Sequence, residues 1–196
     1  MDTSRGPRPD SPRISPVTEP DPRVQQLLDA AAVPGGGPDT APLNIFATLA
    51  HHPKVMRRSN QLGGTLLFSG SLPARDREIV ILRVGWNCRS VYEFGQHTVI
   101  GSRSGVSSEE IRALAGGDTE GWSPQDRALV ALADELCEHD CVSDATWSAL
   151  TGHFGDPEMI ELVVLAGYYR LISGFLNSAG VQLDPGVPGW PEGVVP

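Results

Sequence analysis

No run of consecutive apolar residues in this 196-residue chain approaches the roughly 18 that a membrane span requires. The first thirty residues also lack the apolar middle of a secretory signal. A cytoplasmic protein without a membrane partner is expected. Cysteine is scarce: Cys88, Cys137 and Cys141 are an odd number in a chain long enough to fold without staples, so reduced thiols are the default. Basic residues are outnumbered 15 to 24, and the formal charge of -9 disfavours phosphate backbones and anionic surfaces as partners. Nucleic acid is therefore not an expected ligand. Strand alternation between turn signals is missing, and the β-branched runs lie inside helical patterns. An all-α fold follows, and with no repeat at a fixed period the expected form is a multi-helix bundle. The Gly-rich segment Pro34 to Pro38 lacks the Lys-Ser/Thr ending of a phosphate loop and reads as a linker.

What is present divides the chain in three. Residues 1–21, rich in Pro, Ser, Arg and Asp, form a disordered or loosely docked arm. Residues 22–183 form a single all-α domain of seven or eight helices, and residues 184–196 an extended Pro- and Gly-rich tail. The spacing predicts helices from Pro22 to Ala32, from Leu43 to about Ala50, and from Pro53 onward with uncertain bounds around Gly63-Gly64. Pro73 opens a central helix to about Trp86. Asn87 to Ser90 is a break, and Val91 to Arg103 is the next helix, stopped by Gly105. Ser107 and Glu110 make a capping box for a short helix ending at Ala115, Ser123-Pro124 opens one to about Cys137, and Ser143 caps one to Phe154. A long apolar helix runs from Glu158 to about Ala179, and its surplus apolar surface, with Val187, Trp190, Val194 and Val195 in the tail, points to packing between copies of the chain.

The chemistry-bearing residues concentrate in LPARDREIVILRVGWNCRSVYEFGQHTVIGSRSG. Glu93 and His97 are four apart, just over one helical turn, so carboxylate and imidazole should share a face and touch. Glu78 sits in EIVILRV, too apolar for a surface helix, where an ionised carboxylate is costly unless paired. Arg75, three residues earlier, is a candidate to neutralise it. Arg83 is either a structural partner for an acid or an anchor for a substrate carboxylate, with the structural reading preferred.

Other signals have plainer readings. Cys137-x-His139-x-Cys141 lacks evident further ligands apart from distant His153, so no metal is expected there. His51-His52-Pro53 reads as a helix end. Cys88 at the helix break is a candidate reactive thiol, though an ordinary buried cysteine is the plainer account. Tyr168 and Tyr169 should split their work, one ring in the core and one hydroxyl toward a pocket or neighbour.

Three segments, LPARDREIVILRVGWNCRSVYEFGQH, VSSEEIRAL and ELVVLAGYYRLISGFLNSAGV, together resemble the carboxymuconolactone decarboxylase family, which also contains the alkyl hydroperoxidase D proteins. The resemblance runs from Pro42 to about Leu183. It implies an all-α bundle assembled as trimers or hexamers, with the site in a pocket between helices near a subunit contact. In the hydroperoxidase branch a Cys-x-x-Cys pair opens the second central helix, a His follows four residues after the second Cys, and a Glu lies on the preceding helix. Glu78 and His97 match that Glu and His, but Ser90 and Glu93 stand at the two sulfur positions. A disulfide cycle needs two thiols with Cβ atoms within about 4.5 Å, and Cys88 has no sequence neighbour for that role.

What remains looks like the decarboxylase-like branch, whose members are similar to cofactor-free enzymes acting on lactone or keto-acid intermediates. On that resemblance His97 is the acid that protonates the enolate left by decarboxylation, aided by an unperturbed pKa of about 6.5. Glu93 orients the ring, and Glu78 is a second base or relay whose own pKa is raised by burial. Trp86, Tyr92 and Phe94 wall the pocket against water. The expectation is a homo-oligomeric enzyme with no metal or cofactor, acting on a small organic acid or lactone. The alternatives are a hydroperoxide- or thiol-dependent reductase using Cys88, and a non-catalytic ligand-binding oligomer.

Overall fold

Ile79 to Leu82, four consecutive apolar residues, reach every side of a helix, and the fold puts that helix in the middle. The computed structural model describes residues 8–31, 42–116 and 118–194. Among them are nine α-helices and no strand: α1 (Pro22–Ala30), α2 (Asn44–Leu49), α3 (Pro53–Gly64), α4 (Ala74–Asn87), α5 (Val91–Arg103), α6 (Ser108–Gly116), α7 (Pro124–His139), α8 (Asp144–Thr151) and α9 (Asp156–Ala179). A π-helical turn, Thr65–Ser69, extends α3. The expected linker at Pro34 to Pro38 lies outside the described residues. Helix α4 packs against α5, α6, α7 and α9 at once. Its Ile79, Val80, Ile81, Leu82 and Val84 are fully enclosed, together with Phe94, Leu129, Leu132, Leu162 and Leu165 from the helices around it.

Local chemistry sets the ends of these helices. Ser107 and Glu110 cap reciprocally, the Ser107 N–H donating to Glu110 at 2.7 Å and the Glu110 N–H to the Ser107 hydroxyl at 3.2 Å. The Ser123 hydroxyl accepts from the Asp126 N–H at 3.0 Å, and that of Ser143 from the Thr146 N–H at 3.3 Å. Helix α7 runs on to His139, about half a turn past the expected end, until Asp140 turns left-handed at φ 57°.

The bend between α4 and α5 decides the geometry of everything that follows. Cys88 caps α4, Arg89 adopts φ 50°, and Ser90 leads into α5, so the chain reverses within three residues. Two glycines then let the helices close. A Cβ on Gly85 would stand 3.3 Å from the Phe94 backbone nitrogen, and one on Gly101 would stand 3.2 Å from Leu82 and 3.6 Å from the Glu78 Cβ. With both positions bare, Glu78 on α4 lies level with His97 and Gly101 on α5.

The ends of the chain pack onto this frame. In the described part of the arm, the Arg13 N–H donates to the Ala179 carbonyl at 2.8 Å and the Val17 N–H to that of Ala47 at 3.0 Å. Trp190 of the tail sits on Trp86 and Phe94, with ring centroids 5.3 and 5.1 Å apart. Helix α9 is long and apolar enough, by length and composition, to cross a membrane, contrary to the reading of the sequence alone. Its apolarity has a use within the bundle: Leu162, Leu165, Tyr169, Ile172 and Leu176 are core residues. Ile160, Val164 and Leu171 remain exposed on its outer side, and Phe68 of the π-turn is also exposed.

Candidate active site

Glu78 and His97, on facing helices, meet directly. His97 Nδ1 lies 2.6 Å from Glu78 Oε2, and the same ring's Nε2 lies 3.2 Å from Glu93 Oε1 one turn back along α5. One imidazole thus touches two carboxylates, one through each nitrogen. The other Glu78 oxygen accepts from Arg77 Nε at 2.9 Å, and Arg77 Nη1 donates to the Leu67 carbonyl at 2.8 Å in the π-turn. Glu78 has no exposed surface, and Glu93 and His97 retain 4% each. Tyr169 of α9 stands edge-on to the imidazole at 4.9 Å.

The charges around the ring explain its protonation. Burial alone would favour a neutral imidazole, but the Glu78 carboxylate and its hydrogen bond, followed by Glu93, push the His97 pKa up to about 9. Burial would likewise raise the Glu78 pKa; the His97 cation and then Arg77 outweigh it, and the carboxyl ends below its usual range. This corrects the expectation of a carboxyl raised by burial. Near neutral pH the site holds an imidazolium rather than a ring close to its midpoint. Burial and then the charges of Glu93 and Glu78 push the Tyr169 hydroxyl well above its ordinary range.

Glu78, Glu93 and His97 are therefore one cluster, whereas the other predicted residues divide. Arg75 does not reach Glu78: it pairs with Glu110 of α6 and with Asp126 of α7 at 2.8 Å. Arg77, one position before Glu78, holds that place. Arg83 donates to Asp134 at 2.5 and 3.0 Å and to the Leu114 carbonyl at 2.8 Å, which fits the preferred structural reading. Trp86, Tyr92 and Phe94, expected to wall the site, face elsewhere. Phe94 and Trp86 join Trp190 in an aromatic cluster under the tail. The Tyr92 hydroxyl donates to Asp184, which also accepts from Gln96 at 2.7 Å and from the Asn44 N–H at 2.8 Å. The ring against His97 is Tyr169, and nothing in the sequence ties residue 169 to residue 97. Tyr168 fills the other half of the expected split, its hydroxyl donating to the Ser59 carbonyl at 3.0 Å.

A cavity of about 330 Å³ is lined by Arg8, Arg89, Tyr92, Asn177 and Leu183 among others. Its lining includes none of Glu78, Glu93 and His97. Among the described residues no three His, Cys, Asp or Glu side chains gather as a metal-ligand set. The Cys141 thiol turns to the Val142 carbonyl at 3.6 Å.

Residues 53–135 match the carboxymuconolactone decarboxylase family, a span that includes Glu78, Glu93 and His97. Solved structures share the fold over most of the chain. An alkylhydroperoxidase AhpD core protein from Ralstonia eutropha JMP134, described as an uncharacterized peroxidase-related protein, superposes with a TM-score of 0.72 at 21% identity, over 88% of this chain and 93% of its own. An uncharacterized peroxidase-related protein from Silicibacter sp. TM1040 gives 0.75 at 12% identity, over 93% and 98%. A variant of the debrominase Bmp8, in complex with 2,3,4-tribromopyrrole, gives 0.68 at 12% identity, over 90% and 94%. Identities this low establish the fold, and both sequence match and fold agree with the family resemblance. No curated protein matches the chain.

Proposed function

From a helical core that matches the carboxymuconolactone decarboxylase family, we propose that this chain is a cofactor-free acid–base enzyme, transferring protons to and from a small lactone or keto acid. One observation carries the reading: a buried imidazole sits between two buried carboxylates, Nδ1 2.6 Å from Glu78 and Nε2 3.2 Å from Glu93. An ion cluster this enclosed is a poor stabiliser compared with an apolar core of the same volume, so a chemical use is the more economical account.

In the proposed reaction the C–C bond to a substrate carboxylate breaks, carbon dioxide leaves, and the electron pair remains as an enolate. His97 starts protonated, and its Nε2 proton passes to the carbanionic carbon, directly or through Glu93. Glu78, held by Arg77, fixes the ring and stabilises its charge before transfer. The neutral ring then regains a proton from water. Substrate reaches the cluster by displacement of what covers it, and the support for an approach on the α3 side is twofold. Tyr168 bridges from α9 to Ser59 there, and its hydroxyl is pushed up by burial and by the nearby Glu93 charge. A π-helical turn in the adjoining segment is a feature often found at functional sites.

Assembly into a homo-oligomer belongs to the same proposal, supported by the exposed Ile160, Val164 and Leu171 on α9 and by the exposed Phe68. The experiment for the reaction is a screen of lactones and β-keto acids in deuterium oxide, following carbon dioxide release and deuterium uptake. Wild type and His97→Ala are run in parallel. Turnover lost in the variant supports the reading, and turnover retained at the wild-type rate refutes the role of His97.

A further inference from the structure

The cavity at the α4–α5 bend takes no part in the acid–base cluster, and its lining is unlike the chain as a whole. Acidic residues outnumber basic ones 24 to 15 in the protein, yet among the described residues this cavity is lined by two arginines, Arg8 and Arg89, and by no Asp or Glu. It is a positive recess in an acidic protein.

The two arginines reach it from different parts of the chain. Arg89 belongs to the bend, where its φ of 50° is a left-handed conformation that favours Gly or Asn. A long side chain kept on such a backbone points to a use for that side chain. Arg8 comes from the N-terminal arm, its Nη2 donating at 3.0 Å to the carbonyl of Cys88, the residue before Arg89. Asn177 of α9 donates to the same carbonyl at 2.8 Å, so arm, bend and α9 meet at one oxygen.

The seat of the arm is specific. The Arg13 N–H donates to the Ala179 carbonyl at 2.8 Å and its guanidinium to the Ser178 carbonyl at 3.3 Å, at the end of α9 where the helix dipole favours a cation. Gly180 lets the arm come this close: at φ 69° it is bare, and a Cβ there would stand 2.5 Å from the Ser11 carbonyl oxygen and 3.1 Å from the Pro9 Cβ. Pro9 and Gly180 both line the cavity, so this contact forms part of its wall. Val91, Leu176, Val181 and Leu183 make the lining apolar elsewhere, and Leu176 and Val181 are buried.

We propose that this cavity binds a small organic carboxylate with an apolar body, the carboxylate held by Arg8 and Arg89 and the body resting on Val91, Leu176, Val181 and Leu183. The planar guanidinium fork matches a carboxylate better than a point charge does. A volume of about 330 Å³ lies at the small end of ligand pockets, which run from about 300 to 1,000 Å³, and suits a single-ring or short-chain acid. None of Glu78, Glu93 and His97 lines the site, so it is a second ligand site, and a bound acid fastens the arm to the bend.

The test is an NMR titration of the full chain with benzoate as the probe. Benzamide, of similar shape without the charge, and inorganic phosphate, charged without an apolar body, are run beside it. Benzoate should saturate one site, shift the amides of Val91, Asn177 and Val181, and bind about tenfold more tightly than either control. Arg8→Gln, a change on the exposed arm, and Arg89→Asn, which keeps a residue suited to left-handed backbone, should each weaken benzoate about tenfold. His97→Ala should bind benzoate as wild type does, so this result stands or falls separately from the acid–base reading. The proposal is overturned if benzoate shows no saturable binding, if benzamide or phosphate binds as tightly, if affinity survives both arginine changes, or if it is lost in His97→Ala.

Discussion

His97 Nδ1 stands 2.6 Å from Glu78 Oε2 inside the bundle, although the two residues belong to different helices. The contact exists because α4 and α5 reverse through Cys88, Arg89 and Ser90 and then pack at Gly85 and Gly101. It is an ion pair sealed from water, and most of the protein's expected behaviour follows from that.

Stability should fall as pH rises through the alkaline range. A histidine whose pKa is about 9 in the folded protein and about 6.5 when unfolded binds its proton more tightly in the native state. That contribution is complete below about 6.5 and is lost as pH rises through 9, on the order of 3 kcal/mol in all. Glu78 describes the acid limb of the same interaction: its lowered pKa means support present above the unfolded value and lost as pH falls through the folded one. The two limbs are one pairing and do not add. Urea unfolding between pH 6 and 10 should show the decline in wild type and a flat profile in His97→Gln. A flat wild-type profile would contradict the imidazolium.

Arg77 and Arg75 should behave differently despite their spacing. Removing Arg77 leaves one oxygen of a fully buried Glu78 and the Leu67 carbonyl without their donor. Arg77→Ala should therefore cost about 3 kcal/mol and raise the Glu78 pKa. Arg75→Ala breaks a half-exposed contact with Glu110 and Asp126 and should leave the His97 titration where it was. Chemical denaturation and NMR titration of the two variants test the assignment.

Volume at Gly101 should be tolerated only up to one methyl group. Alanine there meets Leu82 at 3.2 Å, tight but on a movable side chain, and gains helix propensity, so Gly101→Ala should stay within about 1 kcal/mol of wild type. The branched Gly101→Val presses on Leu82 and Glu78 and should cost about 1–3 kcal/mol, with proton-transfer activity lost as α5 is moved off α4. Thermal melts and the turnover assay measure the two effects.

A charge on the outer face of α9 should disperse any assembly. Leu171, 64% exposed, and Ile160, 65% exposed, lie on that face. In sedimentation, wild type should run as a multiple of 20.9 kDa and the Ile160→Glu, Leu171→Glu double variant as a single chain. Equal sedimentation of the two would move the interface elsewhere.

Much of this architecture was legible in the sequence where the signal is local. The bounds of α5, the capping box at Ser107 and Glu110, and the Glu93–His97 face all come from residues within a turn or two of each other. The Glu78–His97 pairing came through family resemblance. What was hidden depends on which way a side chain turns. Arg75 and Arg77 both lie within a turn of Glu78, and the choice between them is made by Glu110 and Asp126, which draw Arg75 toward α6 and α7. Tyr169 against His97 is a product of tertiary packing with no spacing to announce it. Trp86 and Phe94 were expected to wall the pocket, but Phe94, next to Glu93 on α5, points in a different direction from it, and both rings lead to Trp190.

The most direct test of the central claim is an NMR titration of the His97 ring nitrogens in the intact protein. An imidazole bound between Glu78 and Glu93 should carry protons on both nitrogens at pH 7 and titrate with a midpoint near 9, falling markedly in Glu78→Gln. A ring that is neutral at pH 7, or whose midpoint does not move when Glu78 is replaced, would contradict the account.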